Sequence, residues 1–211
     1  TLEINWKKHF TPIVYMFVMI LAQTILNSVD TTMLGLIHGD LAVGIYSTAT
    51  KISNIISQLG GAIMWVVIPR LSIYFAEKNY SEINNMLKTV LVFLTTLGFP
   101  LALGTIFVAD DIITIIAGKG YEPSANVLRV LMIGFLISQF SGFLGNAILL
   151  PSKQEKYYML VCVVSALVNI VTNYIFIPKY GAVAAAGTTV LSTVVVVVLL
   201  LFKVDNNIKI S

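Results

Sequence analysis

Charge is what this sequence has least of. Asp, Glu, Lys and Arg make up 11% of its 211 residues, against roughly 25% in soluble chains, which is too little to cover the surface of a water-soluble domain. Cysteine is nearly absent: Cys162 stands alone, which excludes an intrachain disulfide and any Cys-based metal cluster. The two histidines, His9 and His38, sit near the ends of apolar runs. No HExxH pair, Cys/His zinc set or His-based nucleophile system can therefore be assembled. Gly118-Lys119-Gly120 lacks the upstream glycine and the following Ser/Thr of a P-loop, so no ATP hydrolysis is expected. Asp110-Asp111 is an adjacent pair with the wrong periodicity for a shared catalytic pocket. The sequence thus predicts no enzyme, no cofactor and no metal site, and a net charge of +3 is too mild for a nucleic-acid partner.

Apolar residues are there in excess. They make up 57% of the chain, and the mean hydropathy is +0.90, so lipid must solvate much of the surface. The fold class expected is all-α, an integral membrane bundle of six transmembrane helices. Six runs reach the roughly 20 apolar residues that a span requires: about 11–35, 42–68, 89–109, 124–150, 157–177 and 182–202. Residues 1–10 and 203–211 flank this bundle as an N-terminal segment and a tail. The separator PKYG at 178–181 makes the last two spans a tight antiparallel hairpin. Residues 70–88 leave room for a short amphipathic helix with Ser81 as N-cap and Glu82 in its first turn. The segment 111–117 is apolar but too short to span, which suits an interfacial position. No removable signal peptide is visible, and the start at Thr1 leads us to expect a piece of a longer polypeptide.

Lysine and arginine set the orientation. The N-terminus, second and fourth loops and C-terminus hold Lys7, Lys8, Arg70, Lys78, Lys88, Lys153, Lys156, Lys203 and Lys209. The other loops hold only Lys119 and Lys179; Lys51 and Arg129 lie inside spans. Both termini are therefore expected in the cytoplasm. The sequon Asn79-Tyr80-Ser81 then falls in a cytoplasmic loop, where a chance match explains it best.

Polar groups in hydrocarbon are costly unless partnered, on the order of 2.5–3.5 kcal/mol for a charge at mid-span, so their spacing is informative. On a helical wheel Ser47, Lys51, Asn54, Gln58, Gly61 and Trp65 fall within about 40° of one line. Opposite lie Ile45, Ile52, Ile56, Leu59 and Ile63. The polar line suits a hydrated lumen and the apolar line suits lipid. The first span carries Gln23, Asn27 and Asp30 at i, i+4 and i+7. In an antiparallel hairpin Asp30 could meet Lys51 as a structural ion pair, or Asp30 could exchange a proton or bind Na⁺, which makes it the ion-coupling candidate. In the fifth span Asn169 and Asn173 share a face with Tyr158, Cys162 and Ser165, as packing partners or as cavity lining. The fourth span carries a small-residue strip (Gly134, Ser138, Ser141, Gly145) and a separate line through Gln139 and Asn146. Arg129 either faces the lumen or snorkels to the interface. Pro100, with Gly98 and Gly104, should bend the third span.

Several segments resemble a known family in order and spacing: VDTTMLGLIHGDLAVGIYSTATKI (29–52), VIPRLS (67–72), NAILLPSKQEKYY (146–158) and IPKYGAVAAAG (177–187). Together they are similar to the C-terminal half of bacterial polysaccharide-repeat-unit flippases of the Wzx type, in the multidrug/oligosaccharidyl-lipid/polysaccharide exporter superfamily. The resemblance implies a twelve-helix, two-lobed exporter in the bacterial cytoplasmic membrane, of which this chain supplies one six-helix half. The other half, or a second copy, would be its partner. It implies transport of an undecaprenyl-diphosphate-linked oligosaccharide, with membrane lipid around it. On the wheels, Lys51 could attract the diphosphate, while Asn54, Gln58, Asn169 and Asn173 offer hydrogen bonds to sugar. A peptidoglycan-precursor flippase, an ion-coupled drug antiporter or a non-transporting scaffold of a glycan-assembly complex are the alternatives. A cation antiporter is disfavoured by Lys51.

Overall fold

The computed structural model describes residues 6–204 and 208; of residues 6–9 it describes the backbone alone. Lys209, residues 1–5 and most of the tail lie outside the described residues. Every regular element in the described part is helical. The elements are α1 (Trp6–Glu77), α2 (Tyr80–Phe107), α3 (Ala109–Ala117), α4 (Ser124–Gly142), which runs on into a π turn (Phe143–Leu149), and α5 (Glu155–Leu201). Four helical runs are long and apolar enough to cross a membrane. This follows from hydrocarbon itself, where a helix satisfies every backbone N–H and C=O internally.

Two of these runs fold back on themselves. Straight, the 72 residues of α1 would extend about 108 Å, far beyond the roughly 30 Å of a bilayer core. Gly39 breaks the run with φ 77° and ψ −175°, a conformation essentially reserved for glycine. The Tyr46 hydroxyl donates to Asp30 at 2.6 Å, although 16 residues of straight helix would hold them about 24 Å apart. In α5, Gly181 (φ 59°, ψ −137°) does the same. Tyr157 then donates to the Leu199 carbonyl at 2.7 Å, closing a gap that would be about 63 Å along a straight helix. Each long helix is thus two antiparallel arms, 6–38 with 40–77 and 155–180 with 182–201.

Two sequence expectations change here. No separate amphipathic helix fills 70–88. Instead α1 runs to Glu77, Lys78 takes φ 54°, and α2 starts at Tyr80 and continues unbroken through Pro100. Its N-cap is Asn79, not Ser81, because the Asn79 carboxamide oxygen accepts the Glu82 backbone N–H at 3.3 Å, a bond that asparagine makes as well as serine. Gln139 and Asn146 do not share a line either. The π turn, with Leu150 N–H bonding Gly145 C=O, underwinds the helix between Gln139 and the end of the run and rotates Asn146 off it.

The core is in two parts. One packs Leu34, Tyr46, Leu128, Met132, Phe135 and Ile177, near the Gly39 and Gly181 reversals. The other packs Met19, Leu71, Leu87, Phe143, Leu149 and Leu200 at the opposite end. Between them every long arm except α2 turns polar at the same level: Gln23 to Asp30, Ser53 to Ser57, Ser138 to Ser141, Asn169 to Asn173, and Thr188 to Thr193. On the outer faces of the arms, exposed hydroxyls such as those of Thr24 and Thr95 bond the carbonyl one turn back. This is how Ser and Thr satisfy themselves on a lipid-facing helix.

Candidate functional site: a buried carboxylate and an exposed polar stripe

Asp30 lies on the inward face of the first arm of α1 and is 1% exposed. Three side chains from three arms donate to it: the Tyr46 hydroxyl at 2.6 Å, the Asn173 amide at 2.6 Å and the Thr189 hydroxyl. Asn173 also donates to the Asn169 carboxamide oxygen at 3.0 Å and accepts from Thr188. Asn169 and Asn173 are fully buried, so they hold the carboxylate and do not line open space. The partners of Asp30 are all neutral side chains, and among the described residues no cation stands against it. Among the described residues the ion pair is Arg129 with Asp110. The expected Asp30–Lys51 pair is therefore corrected. Lys51 lies three residues further from the Gly39 reversal than Asp30 does, and it is exposed on the outer side of its arm.

Hairpin arithmetic would have found the true partners. Residues equidistant from a reversal face one another, so a turn at Gly39 sets Asp30 near Tyr46 and one at Gly181 sets Asn173 near Thr188 and Thr189. The sequence reading missed Tyr46, Thr188 and Thr189 because none of them lies on the polar lines traced on the helical wheels.

The second arm of α1 is oriented opposite to expectation on one side. Ile52 is buried, and Ile45, Ile56 and Ile63 are half-buried against the bundle, while Leu59 is exposed. The apolar line expected to meet lipid thus largely packs inward, because α4 offers it a matching apolar surface. At Gly60 that approach is so close that a Cβ would lie 2.9 Å from the Phe135 ring, and Gln139 reaches the Ser57 carbonyl at 3.5 Å. The polar line therefore faces away from the chain: Lys51, Asn54 and Gln58 are exposed, Ser47 is half-buried, and Trp65 is 83% exposed.

A cleft of about 370 Å³ joins the stripe to the carboxylate, with Asn27, Asp30, Tyr46, Asn54, Ser57 and Thr189 on its walls. A second, of about 300 Å³, continues from it past Gln23, Asn27, Ser138, Asn146 and Tyr158. Gln23 also touches the Cys162 sulfur at 3.7 Å. Arg129 belongs to neither. It pairs with Asp110 in the first turn of α3 and bonds Asn126 at 2.9 Å and the Ile106 carbonyl at 3.4 Å, so its expected place in the lining is corrected. Three neighbouring acceptors at the helix ends explain why it stays there. Two strip residues, Ser138 and Ser141, line the second cleft, whereas Gly134 packs on Val190, which a Cβ would meet at 2.7 Å.

Apolar arms enclosing a polar cleft, with a polar stripe on the outside, define a helical membrane bundle. Residues 16–175 match the MatE family, and the chain belongs to it as a multi-pass membrane protein. Its relatives include the capsular polysaccharide biosynthesis protein CapF of Staphylococcus aureus, 22% identical over 72% of this chain and 38% of CapF. The "probable low-salt glycan biosynthesis flippase" of Haloferax volcanii is 23% identical over 74% of this chain and 33% of that protein. Among solved structures, the lipid II flippase MurJ in its inward closed conformation superposes with a TM-score of 0.76, at 22% identity, over 96% of this chain and 44% of MurJ. The chain matches less than half the length of each of these relatives.

Proposed function

We propose that the chain is one lobe of a flippase that carries an undecaprenyl-diphosphate-linked oligosaccharide across a bacterial cytoplasmic membrane. In this reading it crosses the membrane six times, with Gly39 and Gly181 at outer reversals and both termini cytoplasmic, as the basic residues suggest. The observation that carries the reading is the exposed stripe Ser47, Lys51, Asn54, Gln58. Hydrocarbon would not tolerate it, and the described residues supply nothing to cover it, so in this reading a second lobe faces it across a hydrated cavity. Lys51 there is the charge for the diphosphate, and Asn54 and Gln58 are hydrogen-bond partners for sugar. Names of relatives that refer to capsule and glycan biosynthesis support the substrate class.

Asp30 is the coupling carboxylate, exchanging a proton or small cation with the cleft. Asn173, Thr189 and Tyr46 orient it. Proteoliposomes holding the whole transporter and a fluorescent lipid-linked oligosaccharide test the proposal. Lys51→Ala should lower flipping at least tenfold and Lys51→Arg should keep part of it. Flipping that is indifferent to both changes would overturn the diphosphate role.

A further inference from the structure

We infer that the length of the stripe from Asn54 to Trp65 is a subsite for one uncharged pyranose ring of the carried glycan, with the Trp65 indole as its stacking platform. The inference rests on the stripe facing a lipid-linked glycan, as proposed above. A shallow recess of about 580 Å³ lies there, walled by Asn54, Ser57, Gln58, Gly61, Ala62 and Trp65. Its size falls within the roughly 300–1,000 Å³ of small-molecule sites. No lining residue is charged, so the recess suits hydroxylated carbon and not the diphosphate. It shares Asn54 and Ser57 with the cleft that leads to Asp30. A glycan held by its diphosphate at Lys51 reaches the recess along the same face, past Asn54.

The shape follows from helical spacing. Gln58 and Trp65 stand two turns apart, about 10.5 Å along the arm, and Gly61 between them leaves a flat floor. A Cβ at Gly61 would meet Gln139 Oε1 alone, at an unstrained 3.8 Å, so no packing demand accounts for the missing side chain. Trp65 is 83% exposed and offers the negative face of its ring to the partly positive C–H bonds of a sugar. The Asn54 and Gln58 carboxamides are exposed and unpaired among the described residues, and each brings two donors and one acceptor to neighbouring hydroxyls. Aromatic rings also anchor helices at membrane interfaces, but this arm meets lipid on another side. Ile55, Leu59 and Val66 are exposed and share a line that lies about 80–120° from Trp65. Trp65 follows the amides and not that line.

The test measures binding of two probes to the whole transporter in nanodiscs: undecaprenyl diphosphate carrying one N-acetylglucosamine, and bare undecaprenyl diphosphate. The parent should hold the sugar-bearing lipid about tenfold tighter, as one aromatic stack supplies. Trp65→Leu removes the ring and Gly61→Leu fills the floor, and either should abolish that preference. Trp65→Tyr should keep part of it. Binding of the bare lipid should be unchanged in all three, which reports that they fold. The part of the indole emission lost in Trp65→Phe should shift with the sugar-bearing lipid and resist quenching by brominated acyl chains. A parent without preference, a preference untouched by Trp65→Leu and Gly61→Leu, or a Trp65 quenched by brominated lipid would overturn the subsite. If Lys51→Ala weakens both probes while Trp65→Leu alters neither, the subsite falls and the flippase reading stands. A parent that binds neither probe removes both.

Discussion

Asp30 is 1% exposed and receives three hydrogen bonds from within the chain, whereas Lys51, on the other arm of the same helix, is exposed and pairs with nothing among the described residues. Both are charged side chains at membrane depth, and both must be compensated. The belt around Asp30 solves the problem internally, by gathering Tyr46, Asn173 and Thr189 from three arms. The stripe around Lys51 leaves it to something outside this chain. The difference separates two kinds of polarity in a membrane bundle. A satisfied cluster fixes the fold and poises one group, and an unsatisfied surface marks where a partner or a substrate must come.

The comparison can be broken most sharply at Asp30. Asp30→Leu strands the Tyr46 hydroxyl and one Asn173 N–H, at about 1–3 kcal/mol each, while Thr189 keeps the Ala185 carbonyl, and thermal unfolding in detergent should show a loss of folded protein. Asp30→Asn keeps an acceptor oxygen and should fold while losing ion-dependent transport. A stable, coupled Asp30→Leu protein would mean that the belt is incidental. Next in size, Asn173→Leu should destabilise by about 2–3 kcal/mol, since it leaves Thr188 and Asp30 each short of a partner.

The stripe should behave in the opposite way. Lys51→Ala should cut transport at least tenfold yet leave the melting temperature within about 2 °C, because surface changes usually stay within ~0.5 kcal/mol. Combined with Asp30→Asn its effect on stability should be additive within about 0.5 kcal/mol. A double mutant more stable than the sum predicts would restore the ion pair that the structure removes. Gly39→Ala should cost about 1–3 kcal/mol through backbone strain alone, measured by the same unfolding assay, without altering substrate binding. The smallest effect belongs to Arg129→Ala. Its pair with Asp110 is solvent-exposed, so the loss should stay within about 1 kcal/mol, with transport unchanged.

Much of the belt was legible. Gln23, Asn27 and Asp30 announce one face by their spacing, as do Asn169 and Asn173, because helical periodicity fixes which residues share a side. What periodicity cannot say is which side faces in. The line through Lys51 and the line through Ile52 were both visible, but the inward direction depends on α4 presenting Phe135 to Gly60. Nor does periodicity within one helix place Thr189 on Asp30, 159 residues away, or Thr188 on Asn173, or foresee the underwinding that parts Asn146 from Gln139.

The sequence by itself determined that the chain lives in lipid, that its regular structure is helical, and that charges would be few and concentrated. Those outcomes follow from composition and from the hydrogen-bonding demands of hydrocarbon, which act on every residue locally. Only the tertiary structure decided that Asp30 is held by neutral donors while Lys51 stands outside. That outcome depends on where two glycine reversals bring four arms together, and such a meeting is a property of the packed bundle and of no single segment.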